Sequence, residues 1–572
     1  MNSLPLLDIA IIAIYLLGIV IYGISKSKRG NSEDYFLGGR TMTWPIVGIA
    51  LFSANISSST LVGLASDAYQ TNVNVYNYEW YAVVVLIFFS IFFLPFYIKS
   101  GVYTMPEFLE RRYDSRSRYY FSFITIIGNI LVDTAAGLYV GKIVLSLLFP
   151  EMDSTYILVI LAVAAAAYTI PGGLNSVIQT EVIQAVLLII GSCLLTYFAF
   201  DQLGGGWNTM MGKLDGMLAA GDVNFGDRAA EGHFIPENSE EVFSLVRPAN
   251  DEFMPWWGLI TGVPLLGFYF WANNQFMVQR VLGAKDLNHG RLGALFAGLL
   301  KLPVIFIMVV PGVLALLLFN SLDISDLNYT LTNGQVCDDL ANCPNLTYPV
   351  LLFQLLPTGI LGLVVAGLMA AMMSSVSATF NSASTLVTMD FVRVLKPDLT
   401  SKQLVRAGQI TTVILVVLAI LWVPFIERVS DSLWTYLQLV IAYTSPPAVS
   451  AFVLGLFWKR ANGTGSIVSL LFGFTIAVLM ILSQSFDWVP AVNDLHFLAK
   501  ASWLFVICAF VHVVVSLMTP APDPGKVAEY TYKKEIFTSE TEELKALPWY
   551  KNYRNLAIIL LILTAIIVGY FW

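Results

Sequence analysis

The sequence predicts an all-α membrane protein that crosses the bilayer many times. Of its 572 residues, 57% are hydrophobic and only 12% are charged, against about a quarter charged in a typical soluble domain. Runs of about 20 apolar residues, the length that spans a bilayer as a helix, recur along most of the chain. These observations exclude a soluble enzyme, a disordered scaffold and a secreted disulfide-rich module. The net charge of −8, without a long basic block, also indicates that there is no nucleic-acid partner.

We count fourteen apolar segments, an even number that places both termini on the same side of the membrane. The first contains Asp8 and lacks a basic leader and a cleavage pattern, so we interpret it as a retained helix. In chain order the predicted spans cover residues 7–25, 45–68, 78–98, 119–148, 155–171, 175–200, 255–282, 290–318, 350–378, 405–427, 433–457, 465–484, 498–518 and 555–572.

Basic residues gather on one side of these predicted spans. If the N-terminus is outside, Lys26, Lys28, Arg29, Arg111 and Arg112 all fall inside, with most of the other Lys and Arg. Inner loops of membrane proteins carry an excess of Lys and Arg. We therefore expect a multi-pass protein of the plasma or inner membrane, embedded in the lipid bilayer, with both termini extracellular or periplasmic.

Two long loops are predicted on the outer side. Residues 201–254 contain ten acidic residues and three basic ones. Residues 319–349 contain Cys337 and Cys343, two of only four cysteines in the chain. An oxidising compartment would allow a disulfide between these two cysteines, and two free thiols are the alternative.

The second span loses its apolar character part of the way along. Residues 52–60 read Phe-Ser-Ala-Asn-Ile-Ser-Ser-Ser-Thr, which is too polar for a helix that faces lipid. Unwound backbone is tolerated at this depth only where it lines a cavity, and its carbonyls can then coordinate an ion. This pattern predicts a broken helix, and a Ser/Thr-rich contact between helices is the alternative.

The seventh span is interrupted in a similar way. Pro264 and Gly267 precede residues 268–275, which combine aromatic and amide side chains. Two interrupted helices five spans apart are typical of inverted five-helix repeats with a binding site between them. The predicted single transmembrane domain (residues 1–572) has an extra N-terminal helix at 7–25, a first repeat at 45–200, an acidic outer loop at 201–254, a second repeat at 255–457, and three C-terminal helices in 465–572 with a charged inner linker at 519–554.

Hydroxyl side chains cluster at the end of the ninth span. Ser374 and Ser377 share one helical face, and Ser375 lies beside them. Hydroxyl oxygens are hard ligands that suit a weakly held alkali cation better than zinc or copper. Small residues that permit close helix packing are the alternative.

Three further polar residues lie where the bilayer disfavours them: Glu79, Lys301 and Gln438. A charge at the centre of the membrane costs about 3 kcal/mol or more, so each charged residue needs a reason. An acid, an ammonium and an amide facing one cavity would together accept from and donate to the hydroxyl groups of a neutral solute. Structural roles, such as interfacial anchoring of Glu79, are the alternative.

The sequence contains no signature of an enzyme. Its four histidines lack metal-ligand spacing, and neither a nucleotide-binding glycine loop nor a Gly-x-Ser-x-Gly elbow is present. We therefore predict neither a membrane hydrolase nor an ATP-driven pump.

Nine segments resemble the sodium/solute symporter family, and more closely its sodium/glucose cotransporter branch; they lie between residues 32 and 460, about three quarters of the chain. They are residues 32–40 (SEDYFLGGR), 53–56 (SANI), 78–80 (YEW), 101–107 (GVYTMPE), 168–173 (YTIPGG), 373–375 (MSS), 380–386 (FNSASTL), 445–447 (SPP) and 455–460 (GLFWKR). The resemblance implies the inverted-repeat fold of amino-acid symporters. It also implies sodium-coupled import of a sugar, such as glucose or galactose, or of a polyol by alternating access.

The resemblance also assigns roles to individual residues. The sodium ion would be held by the carbonyls of Ser53, Ile56 and Ala371 and by the hydroxyls of Ser374 and Ser375. The remaining assignments are sugar contacts at Asn55, Glu79, Lys301 and Gln438, with Thr60 in the place of a sugar-contacting Gln or His, and aromatic lids at Tyr78, Tyr269, Phe270 and Trp271. A second sodium ion would lie at Glu181 and Ser377, although Ala378 lacks one hydroxyl of that pattern.

Other activities remain open at this point. The wider family also carries myo-inositol, monocarboxylates, amino acids and sialic acid, and Lys301 could then balance an anionic solute. A neutral sugar would instead require Lys301 to pair with a carboxylate. A ligand sensor or channel that does not accumulate solute is the alternative from another class.

Overall fold

A computed structural model of the protein describes residues 5–27, 30–149, 152–225, 228–320, 322–327, 329–330, 336–426 and 433–572. Lys28 and Arg29, which contribute to the predicted orientation, lie outside these residues. Regular secondary structure within the described part of the chain is helical, and the β-pairing found there consists of three isolated bridges. The predicted all-α class is therefore confirmed.

Eighteen of the helices are numbered here. The N-terminal ones are α1 (Leu6–Ser25), α2 (Trp44–Asn55), α3 (Ser58–Tyr69), α4 (Asn77–Phe88), α5 (Ser115–Gly128), α6 (Ala135–Leu148), α7 (Ser154–Leu203), α8 (Trp256–Phe268) and α9 (Gln275–Leu282). The C-terminal ones are α10 (Leu287–Lys301), α11 (Val310–Phe319), α12 (Ile360–Leu386), α13 (Ser401–Ile426), α14 (Leu433–Phe457), α15 (Gly463–Phe486), α16 (Phe497–Met518), α17 (Lys534–Lys545) and α18 (Tyr553–Tyr570).

The structure gives fewer candidate membrane spans than the fourteen counted in the sequence. Among the described residues, ten helices are long and apolar enough to cross a membrane, or up to twelve if each of two bent pairs forms one span. The bent pairs are α2 with α3, at 57°, and α10 with the segment 305–319, at 44°. The protein is thus a multi-pass membrane protein, and the count of fourteen stays a prediction.

The predicted break in the second span lies between α2 and α3. Helix α2 ends at Asn55, and Ser57 caps α3 because its hydroxyl accepts a hydrogen bond from the backbone N–H of Thr60. Ile56, between them, has non-helical backbone angles (φ −77°, ψ 81°). The serine-rich sequence therefore both ends one helix and starts the next.

The seventh span is also interrupted where the sequence predicts it. After α8, residues Tyr269–Asn273 form a single π-helical turn, and Asn274 is extended. The Asn274 side chain caps α9 by accepting from the backbone N–H of Phe276. The amides of this segment thus supply the partner that a new helix start needs.

Helix α7 joins two predicted spans, 155–171 and 175–200, through a break at Gly173. This glycine has left-handed backbone angles (φ 55°, ψ −152°), and a Cβ there would lie 2.3 Å from the backbone oxygen of Tyr35. Both the conformation and the close approach require glycine.

Helix α12 lies at the centre of the protein, with almost every side chain buried from Leu361 to Leu386. It packs against α1, α2, α3, α6, α7 and α13. Its many Gly, Ala and Ser residues let these neighbours approach closely, as is usual in membrane helix packing. The serines singled out in the sequence are therefore in the interior and not at the lipid surface.

The extra N-terminal helix fixes the start of α12. One carboxylate oxygen of Asp8, on α1, accepts hydrogen bonds from the backbone N–H groups of Gly359 and Gly362, at 2.6 and 2.8 Å. Asp8 is fully buried. It acts as a helix cap supplied from another helix, where a negative charge also complements the helix dipole.

We expect Asp8→Ala to destabilise the protein by about 1–2 kcal/mol, because the first turn of α12 loses its acceptor. Thermal inactivation of the detergent-purified protein measures the effect. Asp8→Asn, which keeps an acceptor oxygen, is the matched control and should lose less. Equal loss in both variants would contradict capping as the role of Asp8.

The outer and inner loops are each anchored by side chains. The structure joins Cys337 and Cys343 in a disulfide within the predicted outer loop, residues 319–349. On the predicted inner side, Glu540 of α17 pairs with Arg291 of α10 and Arg554 of α18. Burial alone would raise the pKa of Glu540, but the two guanidinium groups hold it below its usual value. The C-terminal linker is thus held against the membrane domain.

Candidate functional site

A cavity of about 900 Å³, counting its open mouth, lies beside the break between α2 and α3. Its walls come from α2 and α3, α4, the junction of α5 and α6, α8 with the π-helical turn, α12 and α14. Eight of the predicted site residues line it: Asn55, Thr60, Tyr78, Glu79, Phe270, Trp271, Ser375 and Gln438. Residues far apart in sequence therefore line one cavity.

Glu79 and Lys301 form a buried ion pair. The Lys301 ammonium donates to a carboxylate oxygen of Glu79 at 2.5 Å, and both side chains are almost completely inaccessible. The ammonium also lies over the rings of Trp271 and Phe52, at 5.3 and 5.8 Å from their centroids. Glu79 lines the cavity and Lys301 does not. The positive charge that an anionic solute would need is thus already neutralised by a carboxylate.

Asn55 places an amide at the cavity wall. Its backbone oxygen accepts from the hydroxyl of Thr60 at 2.8 Å, which fastens the two ends of the break together. Its side-chain oxygen is buried and has no hydrogen-bond partner among the described residues. A buried acceptor left unpaired costs free energy, so this oxygen has capacity to accept from a hydroxyl group.

Tyr269 differs from its predicted role as an aromatic lid. It is buried in the hydrophobic core and does not line the cavity, unlike Phe270 and Trp271. The π-helical turn explains the difference, because it alters which side chains of Tyr269–Asn273 share a face of the helix. The sequence carries no signal for that register.

Two of the predicted sodium ligands, Ser53 and Ser374, meet between α2 and α12. The hydroxyl oxygens of Ser53 and Ser374 lie 3.3 Å apart. The hydroxyl of Ser375 donates to the Ala371 carbonyl at 3.1 Å, which leaves its lone pairs available to a cation. Hard oxygen ligands from two helices thus come together in the protein interior.

The helix break frees two of the predicted carbonyl ligands. The backbone N–H of Ser57 donates to Asn55 and not to Ser53, its acceptor in a continuous helix. The N–H of Thr60 likewise donates to the hydroxyl of Ser57, which leaves the Ile56 carbonyl without its helical donor. Oxygens released from helical bonding can coordinate an ion.

The two residues predicted for a second sodium ion have other partners in this structure. The carboxylate of Glu181 is bound by two nitrogens of Arg280, in a fully buried pair. The hydroxyl oxygen of Ser377 lies within hydrogen-bond distance of the Tyr168 hydroxyl and the Ala165 carbonyl, at 2.7 and 3.3 Å. The charge of Glu181 is therefore already balanced.

Four polar residues of the cavity wall were not predicted as site residues: Ser57, Ser59, Asp133 and Thr379. Ser57 and Ser59 belong to the polar stretch that marked the break. Asp133 is an acid within a span, which is a signal in itself, but its neighbours in sequence do not indicate a partner. Thr379 lies one turn beyond Ser375 on α12, so the helical period could have found it.

Comparison with known proteins identifies the family of this chain independently of the site geometry. Residues 35–473 match the model of the sodium:solute symporter family. The chain is 35% identical to the human sodium/myo-inositol cotransporter over 569 residues, which covers 95% of this chain and 78% of that protein. It is 32% identical to rabbit sodium/glucose cotransporter 1 over 535 residues, covering 90% and 80%. These relatives are cotransporters, in agreement with the prediction that the chain is not an enzyme.

Solved structures show the same fold at lower identity. A substrate-bound, outward-open Na⁺-coupled sialic acid symporter superposes with a TM-score of 0.72 at 20% identity, covering 91% of this chain and 99% of that one. Mhp1, a nucleobase-cation-symport-1 family transporter in a closed conformation, gives 0.52 at 13% identity, covering 88% and 99%. With a family match over most of the chain and relatives above 30% identity, this protein belongs to the sodium:solute symporter family.

Proposed function

We propose that this symporter uses sodium to import a neutral polyol or sugar. The carrying observation is the buried Glu79–Lys301 pair beside the cavity. An anionic solute would need a cation that is free to meet it, whereas here the ammonium is satisfied and a carboxylate faces the cavity. A carboxylate accepts hydrogen bonds from hydroxyl groups. The polyol and sugar cotransporters among its relatives support the same class of solute.

The proposed solute site uses the polar and aromatic walls together. Glu79, Asn55 and Gln438 would hydrogen-bond the hydroxyl groups, with Lys301 paired to Glu79 behind the wall. Tyr78, Phe270 and Trp271 would cover the apolar faces of the solute. Thr60 would hold the two ends of the helix break together through its bond to the Asn55 carbonyl. Tyr269 would pack behind the cavity wall without touching the solute.

The proposed sodium site couples the ion to the solute through the break. Sodium bound by the carbonyls of Ser53, Ile56 and Ala371 and the hydroxyls of Ser374 and Ser375 would join α2 to α12. Because Asn55 lies between Ser53 and Ile56, binding of the ion would also order the solute site. Inward release would follow when the two repeats rock and the ion leaves.

The available free energy is sufficient for accumulation. One charge crossing 100 mV contributes about 2.3 kcal/mol, and a tenfold sodium gradient adds about 1.4 kcal/mol. One ion could therefore sustain a solute concentration ratio of roughly a few hundredfold across the membrane, and two ions would square that ratio.

We further propose fourteen spans in the plasma or inner membrane, with both termini outside and two inverted five-helix repeats. Two features support two spans beyond the twelve counted by helix length. Helix α7 contains 50 residues, about 75 Å if straight, which is far more than one crossing needs, and Gly173 divides it. The segment from α8 to α9 is apolar over enough length, but the π-helical turn splits it.

Sodium-dependent uptake into proteoliposomes tests the function. We expect labelled myo-inositol or glucose to accumulate in sodium buffer and not in choline or potassium buffer. Lactate, proline and sialic acid serve as competitors for the other solute classes. Uptake that does not depend on sodium would contradict sodium coupling. Competition by lactate, proline or sialic acid but not by sugars or polyols would contradict the proposal that the solute is neutral. Solute-evoked current without accumulation would indicate a sensor or channel.

We expect Gln438→Ala to raise the apparent KM for the solute about tenfold, because one hydrogen bond from a buried amide is lost. Uptake at a series of solute concentrations measures the change. Gln409→Ala is the matched control, since Gln409 lies on α13, donates to the Ile170 carbonyl and does not line the cavity. Normal kinetics in Gln438→Ala would remove Gln438 from the site.

We also propose a second sodium ion at Glu181 and Ser377, bound in a conformation in which Arg280 releases the carboxylate. We expect Glu181→Gln to lower the ratio of sodium to solute from two towards one, measured by parallel tracer fluxes. Glu181→Asp keeps the charge and is the control. A ratio unchanged by Glu181→Gln would reduce Glu181 to a structural partner of Arg280.

A further inference from the structure

A second large cavity opens on the side of the helix bundle, and none of its lining residues belongs to the solute cavity. It is a groove of about 1610 Å³, counting its open side, between α10 and α18 and the segment 547–551 that precedes α18. Most of its wall is apolar, including Leu295, Leu299 and Leu563. We call it the α10–α18 groove.

The groove has one polar end. Asn288, His289, Tyr550 and Lys551 line it there, near the starts of α10 and α18. By the distribution of basic residues this is the inner end of both helices. Trp44, at the start of α2, lies at the same end, as aromatic residues do at a membrane interface. The groove therefore runs from the inner membrane surface into the bilayer.

Its length matches one leaflet of the membrane. From Asn288 to Leu299 the wall follows eleven residues of α10, about 17 Å at 1.5 Å per residue. The hydrocarbon core of a bilayer is about 30 Å thick, so the apolar part corresponds to roughly half of it. An acyl chain of the inner leaflet fits this space.

The polar end is suited to an anion. None of the groove-lining residues is a carboxylate, and the polar ones can all donate hydrogen bonds. His289 accepts from the backbone N–H of Trp44 at Nδ1, so in its neutral form the ring proton is on Nε2, which remains a donor. Arg291 and Arg554 both pair with Glu540, whereas Lys551 has no ion-pair partner among the described residues.

We propose that the α10–α18 groove binds an anionic phospholipid of the inner leaflet, with its phosphate on Lys551 and an acyl chain along α10. A basic end on an apolar groove between membrane helices is the chemistry that selects such a lipid. The opposite end of α10 carries Lys301, so the lipid would contact the same helix that supplies the ion pair of the solute site.

Native mass spectrometry of the full-length protein in mild detergent tests the proposal. The probes are phosphatidylglycerol, phosphatidylcholine with the same acyl chains, and glycerol 3-phosphate. We expect phosphatidylglycerol to be retained about fivefold more tightly than phosphatidylcholine, the effect of one lysine near an anionic headgroup. Lys551→Gln should remove that preference. Lys402→Gln, an exposed lysine at the start of α13, should keep it.

A second variant tests the apolar part of the groove. Leu299→Trp fills the groove while leaving Lys551 in place, and Leu299 is exposed enough to accept a larger side chain. We expect it to weaken both lipids. Equal binding of the two lipids, an unchanged preference in Lys551→Gln, or glycerol 3-phosphate binding as tightly as the lipid would overturn the proposal. A co-purifying membrane polypeptide that occupies the groove instead would overturn it as well. None of these readouts depends on solute transport.

Discussion

Replacement of Lys301 by methionine is expected to abolish solute accumulation and to destabilise the protein by about 3–5 kcal/mol. The cause is the carboxylate of Glu79, which becomes an uncompensated charge in the protein interior. Thermal unfolding in detergent and uptake into proteoliposomes measure the two effects separately.

The double variant Glu79→Gln with Lys301→Met separates stability from solute binding. Neutral groups of similar size can replace a buried ion pair at little cost, so most of the lost stability should return. Uptake should stay low, because Glu79 lines the cavity and a carboxylate is the proposed acceptor for the solute. Measured together with Lys301→Met alone and Glu79→Gln alone, the non-additivity of the two changes gives the interaction energy of the pair.

Lys545→Met is the control for loss of a lysine from an ion pair. Lys545 pairs with Glu542 on the exposed face of α17, where such pairs contribute about 0–1 kcal/mol. It should leave stability and uptake close to normal. A double variant that transports normally would show that the Glu79–Lys301 pair is structural, and the proposed neutral-solute site would then lose its main support.

Ser374→Ala is expected to raise the sodium concentration for half-maximal uptake about tenfold. The hydroxyl lies 3.3 Å from that of Ser53, and loss of one ligand to a cation costs about 1–3 kcal/mol. Ser375→Ala should also raise the sodium concentration for half-maximal uptake. Its hydroxyl donates its proton to the Ala371 carbonyl, so the lone pairs of its oxygen remain available to a cation. At saturating sodium, the KM for solute should change little.

Ser384→Ala is the matched control on the same helix. Its hydroxyl is buried and donates to the Gly408 carbonyl, away from the proposed cage. It should leave the sodium dependence unchanged. An unchanged sodium dependence in both Ser374→Ala and Ser375→Ala would contradict the proposed sodium site. The solute site is tested separately, by the Gln438 and Glu79 variants.

The breaks in two helices could be predicted because their causes are local. Six polar residues in a row of nine cannot face lipid, and Ser57 and Asn274 are each strong helix caps. The position of a helix start or end depends on such neighbours in sequence, so the structure places both breaks where the pattern indicates.

The partners of charged residues were harder to predict. The sequence predicts for Glu79 and Lys301 either structural roles or a shared cavity, and the structure pairs them with each other. Glu181 was expected near a sodium ion, and the structure pairs it with Arg280, which is 99 residues away in the chain. Hydropathy identifies a charge that needs compensation but does not identify the group that compensates it.

By itself, the sequence determined the all-α, multi-pass architecture, the positions of the two helix breaks and the residues with unusual polarity for a membrane. These properties depend on composition and on neighbours within a few residues. Only the tertiary structure decided which polar residues share the cavity, that Lys301 is neutralised behind its wall, and that Tyr269 lies outside it. Those outcomes depend on contacts between distant helices and on one π-helical turn that sets which side chains face inward.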